Sequence, residues 1–150
     1  MHLPHLLPFA KCPLYFFTAC AAGRRAVFES SVAQEALLAV WRMSADQDGW
    51  FVGKYVIMPN HVHFFARPGP GAKNRAKWCK AWKSISARRL IRSQRISPPI
   101  WQPDTFDHIL RSAKSYSEKW DYVRANPVRA GLIDDASVWP GSGEIHPLSF

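Results

Sequence analysis

The sequence predicts an α+β fold: an antiparallel sheet of ferredoxin-like or RRM-like outline with helices packed on one face. Three observations carry that prediction. Runs of two-residue alternation, rich in aromatic and β-branched residues, give way to helical spacing and back again in the order β-α-β-β-α-β-α. The two central strands are separated only by Pro59-Asn60, and so tight a connection joins antiparallel neighbours. A chain of 150 residues, 47% of them hydrophobic, can bury one core and is too short for a second full domain. We therefore read residues 1–150 as one domain, with a core over about 14–140 and short terminal extensions.

Residues 14–20 (Leu-Tyr-Phe-Phe-Thr-Ala-Cys) are β-prone and form the first strand, which ends at the turn Ala21-Ala-Gly-Arg-Arg25. Ser30 or Ser31 caps the first helix. Its apolar positions Val32, Ala36, Leu37, Val40 and Trp41 recur at helical spacing until Asp48-Gly49 stops it. Trp50 to Met58 and His61 to Arg67 make a hairpin, and the breaker Pro68-Gly-Pro-Gly71 separates it from a long helix over about Lys73 to Ser93. After Pro98-Pro99 a short strand covers Phe106 to Leu110. A last helix over about Ser115 to Asn126 is closed by Pro127. Tyr116, Trp120 and Val123 form the stripe that this helix packs on the sheet, whereas Tyr122 and Asn126 lie on a separate line roughly 120° away.

Charge points to a polyanionic partner. Twenty Lys and Arg against 11 Asp and Glu give a formal +9, and counterion release favours phosphate backbones. Lys73, Arg75, Lys77, Lys80, Lys83, Arg88, Arg89, Arg92 and Arg95 occupy the long helical run without one acidic residue, so that helix repels itself until a partner neutralises it. A solvated face is the usual reading of such a run, and the absence of any acid over this length favours phosphate contact. Trp78 and Trp82 can stack on bases or anchor the helix, and their spacing favours anchoring. The longest apolar stretches, such as Leu14 to Ala22, are too short for a bilayer, and the amino terminus makes a poor signal peptide; a cytoplasmic location without membrane partners is expected. Cys12, Cys20 and Cys79 lack Cys-x-x-Cys spacing, which speaks against a disulfide framework or a zinc cluster.

The chemistry gathers around His61 and His63, which strand alternation places side by side on one face with Phe65. Two adjacent imidazoles are awkward in a plain core and suited to one metal ion. Tyr122 could attack a phosphate held beside such a metal, and Asn126 could add an amide oxygen to it. The bland alternative is a half-exposed helix aromatic and a C-terminal cap, and for an arbitrary tyrosine that alternative leads. Arg124 and Arg129 flank the pair as candidate backbone contacts. Tyr116 competes as a nucleophile by residue type, but its place on the apolar stripe argues for packing. His108 suits a structural hydrogen bond at least as well as catalysis, Asp107 has no evident place beside the hairpin, and His2, His5 and His146 read as surface residues.

Three separated motifs in order then give a resemblance: Met58-Pro-Asn-His-Val-His63; Trp101-Gln102 with Phe106-Asp-His-Ile-Leu-Arg111; and Asp121-Tyr-Val-Arg-Ala-Asn-Pro-Val-Arg-Ala-Gly-Leu132. Together they resemble the HUH single-tyrosine transposases of the IS200-like kind, and within these the REP-associated tyrosine transposases. The resemblance runs from about Tyr15 to Pro140 and includes Gly23-Arg-Arg-Ala-Val-Phe28. It implies His61 and His63 as metal ligands, Tyr122 as the nucleophile, and Asn126 where many relatives carry a metal-binding glutamine. Asn126 has the shorter reach of the two. It further implies Mg2+ or Mn2+ as cofactor, hairpin-forming single-stranded DNA as substrate, a 5′-phosphotyrosine intermediate, no nucleotide cofactor, and a monomer in preference to a homodimer. Two other readings keep parts of this picture: an RRM-like module that binds single strands without cutting, and a metal phosphodiesterase that uses water in place of tyrosine.

Overall fold

The computed structural model describes residues 12–150, so His2 and His5 lie outside the described residues. Five antiparallel strands form one sheet in the order β4-β1-β3-β2-β5: β1 (Leu14–Ala21), β2 (Trp50–Ile57), β3 (His61–Pro68), β4 (Trp101–Leu110) and β5 (Ser142–Glu144). The first four have the strand order of the ferredoxin-like outline. Three helices of more than one turn accompany them: α1 (Ser31–Asp48), α2 (Arg75–Gln94) and α3 (Ala113–Arg124). A single further turn, α4 (Asn126–Arg129), follows a break at Ala125.

Local chemistry sets most boundaries. Ser30 Oγ accepts from the Ala33 amide at 3.0 Å and starts α1, and Gly49 ends it at φ 76°. A side chain at Gly49 would be strained at that φ, and its Cβ would lie 2.9 Å from Ala72 Cα. Asn74 caps α2 through the Lys77 amide, and Ser112 with Ser115 makes a reciprocal capping box for α3. The last helix therefore begins earlier than its apolar stripe indicates and ends before Asn126. Pro127 sits at the start of the following turn, where a missing N–H costs nothing, and does not close the helix containing Tyr122.

The sheet has two unequal cores. Phe17, Ala19, Val62 and Phe64 face α1 and α2, whose Trp41, Trp78 and Trp82 are fully buried among them. Trp78 stacks on Trp50 at 4.5 Å and its indole N–H donates to Ser44 Oγ at 2.9 Å, so the polar edge of a buried ring is satisfied. Both α2 tryptophans are thus anchors. On the opposite face Leu14, Phe16, Val56, Phe65 and Leu110 pack against Tyr116 and Val123 of α3. The two long helices cover one face as expected, and α3, with the stripe foreseen for it, lies across the other.

β4 starts five residues before the expected Phe106, because it is an edge strand paired only with β1, and an edge tolerates Pro103, which lacks an N–H. β5 is only Ser-Gly-Glu, and its pairing with Lys54, Tyr55 and Val56 is a tertiary contact with no local signature. His146 is half-buried, its ring 5.2 Å from that of Phe51, in place of the expected surface position. Cys20 and Cys79 are buried thiols, and burial pushes Cys79 up to about 11. Among the described residues no helix is long and apolar enough to cross a membrane.

Lys83 is a correction to the expected phosphate contacts. Its side chain is buried, and its ammonium donates to the carbonyls of Gln102 (2.8 Å), Asp104 (3.0 Å) and Pro103 (3.4 Å), where it ties α2 to the start of β4. Charged hydrogen bonds of this kind contribute about 1.5–3 kcal/mol, and leaving the carbonyls without a donor costs comparably. Lys83→Met is therefore expected to lower stability in urea unfolding by about 2 kcal/mol and to leave affinity for single-stranded DNA unchanged. Lost affinity at full stability would return Lys83 to the DNA surface.

Candidate functional site

β3 begins at His61 directly after the Pro59-Asn60 turn, and its pleat puts both histidines on the α3 side of the sheet. Their ring centroids are 4.8 Å apart and the rings meet edge to face. His61 Nδ1 lies 2.7 Å from Asn60 Oδ1, and His63 Nδ1 lies 2.8 Å from the hydroxyl of Thr18, its cross-strand partner on β1. Asn60 Oδ1 can only accept, so His61 Nδ1–H donates to it; the Thr18 hydroxyl can accept from His63 Nδ1–H in the same way, and in that tautomer both Nε2 lone pairs are left for a ligand, the arrangement second-sphere partners give metal-binding imidazoles. Burial, then the Arg24 charge, lowers the pKa of His61. Burial is also the main cause at His63, with His61, Lys119 and Arg129 adding to it, and pushes that ring down to about 3. Both rings are neutral at pH 7, as a metal ligand must be.

Tyr122 projects from α3 off the packed stripe and is 62% exposed. The competing Tyr116 is buried against Phe65 at 4.9 Å, and burial, with Glu144 adding, pushes its hydroxyl up to about 12. Tyr122 lines a cleft of about 490 Å³ with Lys119 and Glu118 of α3 and His108 and Arg111 at the end of β4. Phe16 connects this cleft to the histidines: its ring is 5.4 Å from His63 and 5.6 Å from His108, and the Lys119 ammonium sits 5.2 Å above it.

Asn126 stands at the first position of α4 with its amide oxygen accepting from the Arg129 guanidinium. The same guanidinium donates to the Tyr122 carbonyl at 2.6 Å and lies 3.9 Å from the Tyr122 ring centroid. The expected third ligand is thus hydrogen-bonded to a cation. Among the described residues no group of three or more His, Cys, Asp or Glu could hold a metal ion. The two imidazoles fit a divalent cation by adjacency and charge state, and the remaining donors have to come from elsewhere.

The expected DNA contacts divide between the two faces. Lys77, Lys80, Arg88, Arg89 and Arg92 are exposed on α2, Lys73 pairs with Asp48 at 2.6 Å, and Arg75 pairs with Asp107 at 3.2 Å. α2 covers the face away from the histidines, so this helix is not part of the histidine surface. Arg124 and Arg129 are exposed near Tyr122. Sequence reasoning missed Thr18 and Asn60, which fix the imidazoles, and Arg24 and Lys119, which set their electrostatics. Thr18 was findable as the one polar residue in an aromatic strand, and Lys119 as the residue one turn before Tyr122. Phe106 was missed as well: it is 64% exposed and, through Thr18, sits in the same cross-strand row as His63.

Residues 13–123 match the model of a family described as "Transposase IS200 like". The chain is 25% identical over 135 residues to a REP-associated tyrosine transposase of Escherichia coli (strain K12), covering 89% of this chain and 78% of the relative. A second relative, from Haemophilus influenzae, is 24% identical over 143 residues, covering 89% of this chain and 81% of that protein. A solved structure of a REP-associated tyrosine transposase bound to a REP hairpin superposes with a TM-score of 0.68 at 22% identity, over 87% of this chain and 75% of that one.

The depressed His63 pKa makes stability depend on pH. Below the ordinary value of 6.5 the unfolded chain binds a proton that the folded ring refuses until about pH 3. Stability from this group is therefore complete above pH 6.5 and falls as pH drops toward 3. His63→Gln is expected to take up about one proton fewer on unfolding near pH 4.5, read from the slope of unfolding free energy against pH. An unchanged slope would mean that His63 is not held neutral by the fold.

Proposed function

The chain belongs to the IS200-like transposase family, and on that footing we propose that it is a metal-dependent strand transferase that cuts single-stranded DNA at hairpin ends with Tyr122. The observation that carries the reading is the pairing, on one sheet face, of an exposed tyrosine in a basic cleft with two neutral, hydrogen-bonded imidazoles. In the proposed step the Tyr122 oxygen bonds to phosphorus while the bond to the 3′-oxygen breaks. The phenol gives up its proton, the departing 3′-oxygen gains one, and a 5′-phosphotyrosine link forms. Attack by a 3′-hydroxyl reverses the exchange and joins strands. One phosphate ester replaces another throughout, so no nucleotide energy source is required.

Each residue has a task in this scheme. His61 and His63, through Nε2, would hold a Mg2+ or Mn2+ ion together with Asn126, and that ion supplies charge neutralisation at the scissile phosphate. Thr18 and Asn60 keep the imidazoles oriented. Lys119, Arg124 and Arg129 neutralise the approaching backbone, and the exposed α2 cations attract it from a distance. Phe106 offers a ring on which an unpaired base can stack. A hairpin is the substrate favoured, since a relative of this fold is seen bound to one. The acting unit is taken as a monomer, because Tyr122 and the histidines of one chain already share a face.

Incubation with labelled hairpin DNA and Mn2+ is expected to yield a covalent protein–DNA adduct, resolved on denaturing gels, that Tyr122→Phe abolishes and His61→Ala reduces by at least about 100-fold. Binding without cleavage would support the non-cleaving module, and cleavage without an adduct the water-using phosphodiesterase. Phe106→Ala is expected to weaken single-strand binding by about tenfold, the worth of one stacked base. An unchanged dissociation constant would remove Phe106 from the DNA path.

A further inference from the structure

We propose that Arg129 is a positioning residue that makes divalent-cation binding conditional on a DNA phosphate. The inference rests on the reading of His61, His63 and Asn126 as cation-binding residues. Asn126 and Arg129 occupy the two ends of the single turn α4, three residues apart, which brings their side chains together. The guanidinium therefore reaches the Asn126 amide oxygen, and also the Tyr122 carbonyl, one of the last in α3 and without a partner inside that helix. Its Cζ lies over the Tyr122 ring, 3.9 Å from the centroid. One side chain thus holds the candidate third ligand and the proposed nucleophile at once.

Charge points the same way. Besides the mutual effect of the two rings, the side-chain charges that lower the histidines' pKa are those of Arg24, Lys119 and Arg129, all positive. Of the acids near Tyr122, Glu118 lines its cleft and Asp121 precedes it on α3, while Asp107 lies on the α2 face, paired with Arg75. A dication arriving at two neutral imidazoles thus meets repulsion and only two donors. A phosphate diester changes both conditions. It is a stronger partner for a guanidinium than a neutral amide oxygen and a ring face, because the hydrogen bonds become charge-assisted and bidentate. Once Arg129 turns to the phosphate, its charge is neutralised and the Asn126 oxygen is released toward the histidines. Linkage then requires the converse, that the cation strengthens DNA binding by the same factor.

The test is Mn2+ affinity, read from the electron paramagnetic resonance signal of free Mn2+, with and without single-stranded DNA. It is made in a Tyr122→Phe background, which keeps the ring and prevents cleavage. The parent is expected to bind Mn2+ at least about tenfold more tightly with DNA. Arg129→Ala is expected to tighten DNA-free binding and to shrink the coupling below about threefold. Asn126→Ala has a different signature, leaving DNA-free affinity unchanged and weakening affinity with DNA; a merely structural role for α4 would move both alike. Arg129→Ala with unchanged or weaker DNA-free binding and intact coupling would overturn the inference, while a His61-dependent Mn2+ site left the functional reading standing. No Mn2+ binding by the parent with DNA present would overturn both.

Discussion

The pleat of β3 is the constraint on which the rest of the molecule depends. Residues 61–66 alternate so that Val62, Phe64 and Ala66 enter the core under α1 and α2, while His61, His63 and Phe65 face α3. Phe64 stacks on Phe17 at 5.0 Å and Phe65 lies 5.1 Å from Phe16, so two neighbouring phenylalanines lock the strand from opposite sides. A register slip of one residue would put two imidazoles beneath Trp41 and Trp82 and expose Phe64. Burial of the Phe64 ring alone is worth about 2–3 kcal/mol, and leaving imidazole nitrogens in that core without partners adds a comparable penalty. The histidine geometry is thus enforced by the packing of the residues between and after them.

Given that strand, the character of the site follows from what surrounds it. Thr18 and Asn60 are neutral, and among the described residues no acid raises the pKa of His61 or His63. A carboxylate beside either ring would raise its pKa and favour the imidazolium, which cannot bind a metal. Burial and neighbouring cations do the opposite and keep the rings available. The same choice leaves the site short of negative charge, so a dication is best accommodated together with an anion. In the proposed reaction the substrate phosphate brings part of the missing charge.

Much of this was legible in the sequence, since the features concerned are local. Two-residue alternation exposed β1, β2 and β3, Asp48-Gly49 marked the end of α1, and helical spacing separated Tyr122 from Tyr116. The features that escaped are those set by contacts distant in sequence. β5 exists because Lys54 to Val56 offer an open edge, and three residues of Ser-Gly-Glu carry no pattern of their own. Pro103 reads as a turn until its strand is known to be an edge. Lys83 is one cation among nine on a helical run, and only the placement of Gln102–Asp104 beside it turns its ammonium inward. Which face α3 covers was equally hidden: an apolar stripe says that a helix packs on a sheet, not on which side.

That last point changes what the basic helix can do. The exposed cations of α2 and the histidines are separated by the sheet and the helix layer, roughly 10 Å or more of packed protein. The screening length at physiological salt is about 8 Å, so α2 adds little to the potential at the histidines. Its influence belongs to the encounter, where a net +9 attracts a polyanion from any side. The local field is left mainly to Arg24, Lys119 and Arg129, so the single charge of one phosphate offsets one of three. Had the nine cations of the 73–95 run shared the histidine face, one phosphate could not have altered the balance, and no single contact could have signalled that DNA was in place. In the proposed mechanism, segregating bulk charge from site charge lets the state of the site depend on one bound group.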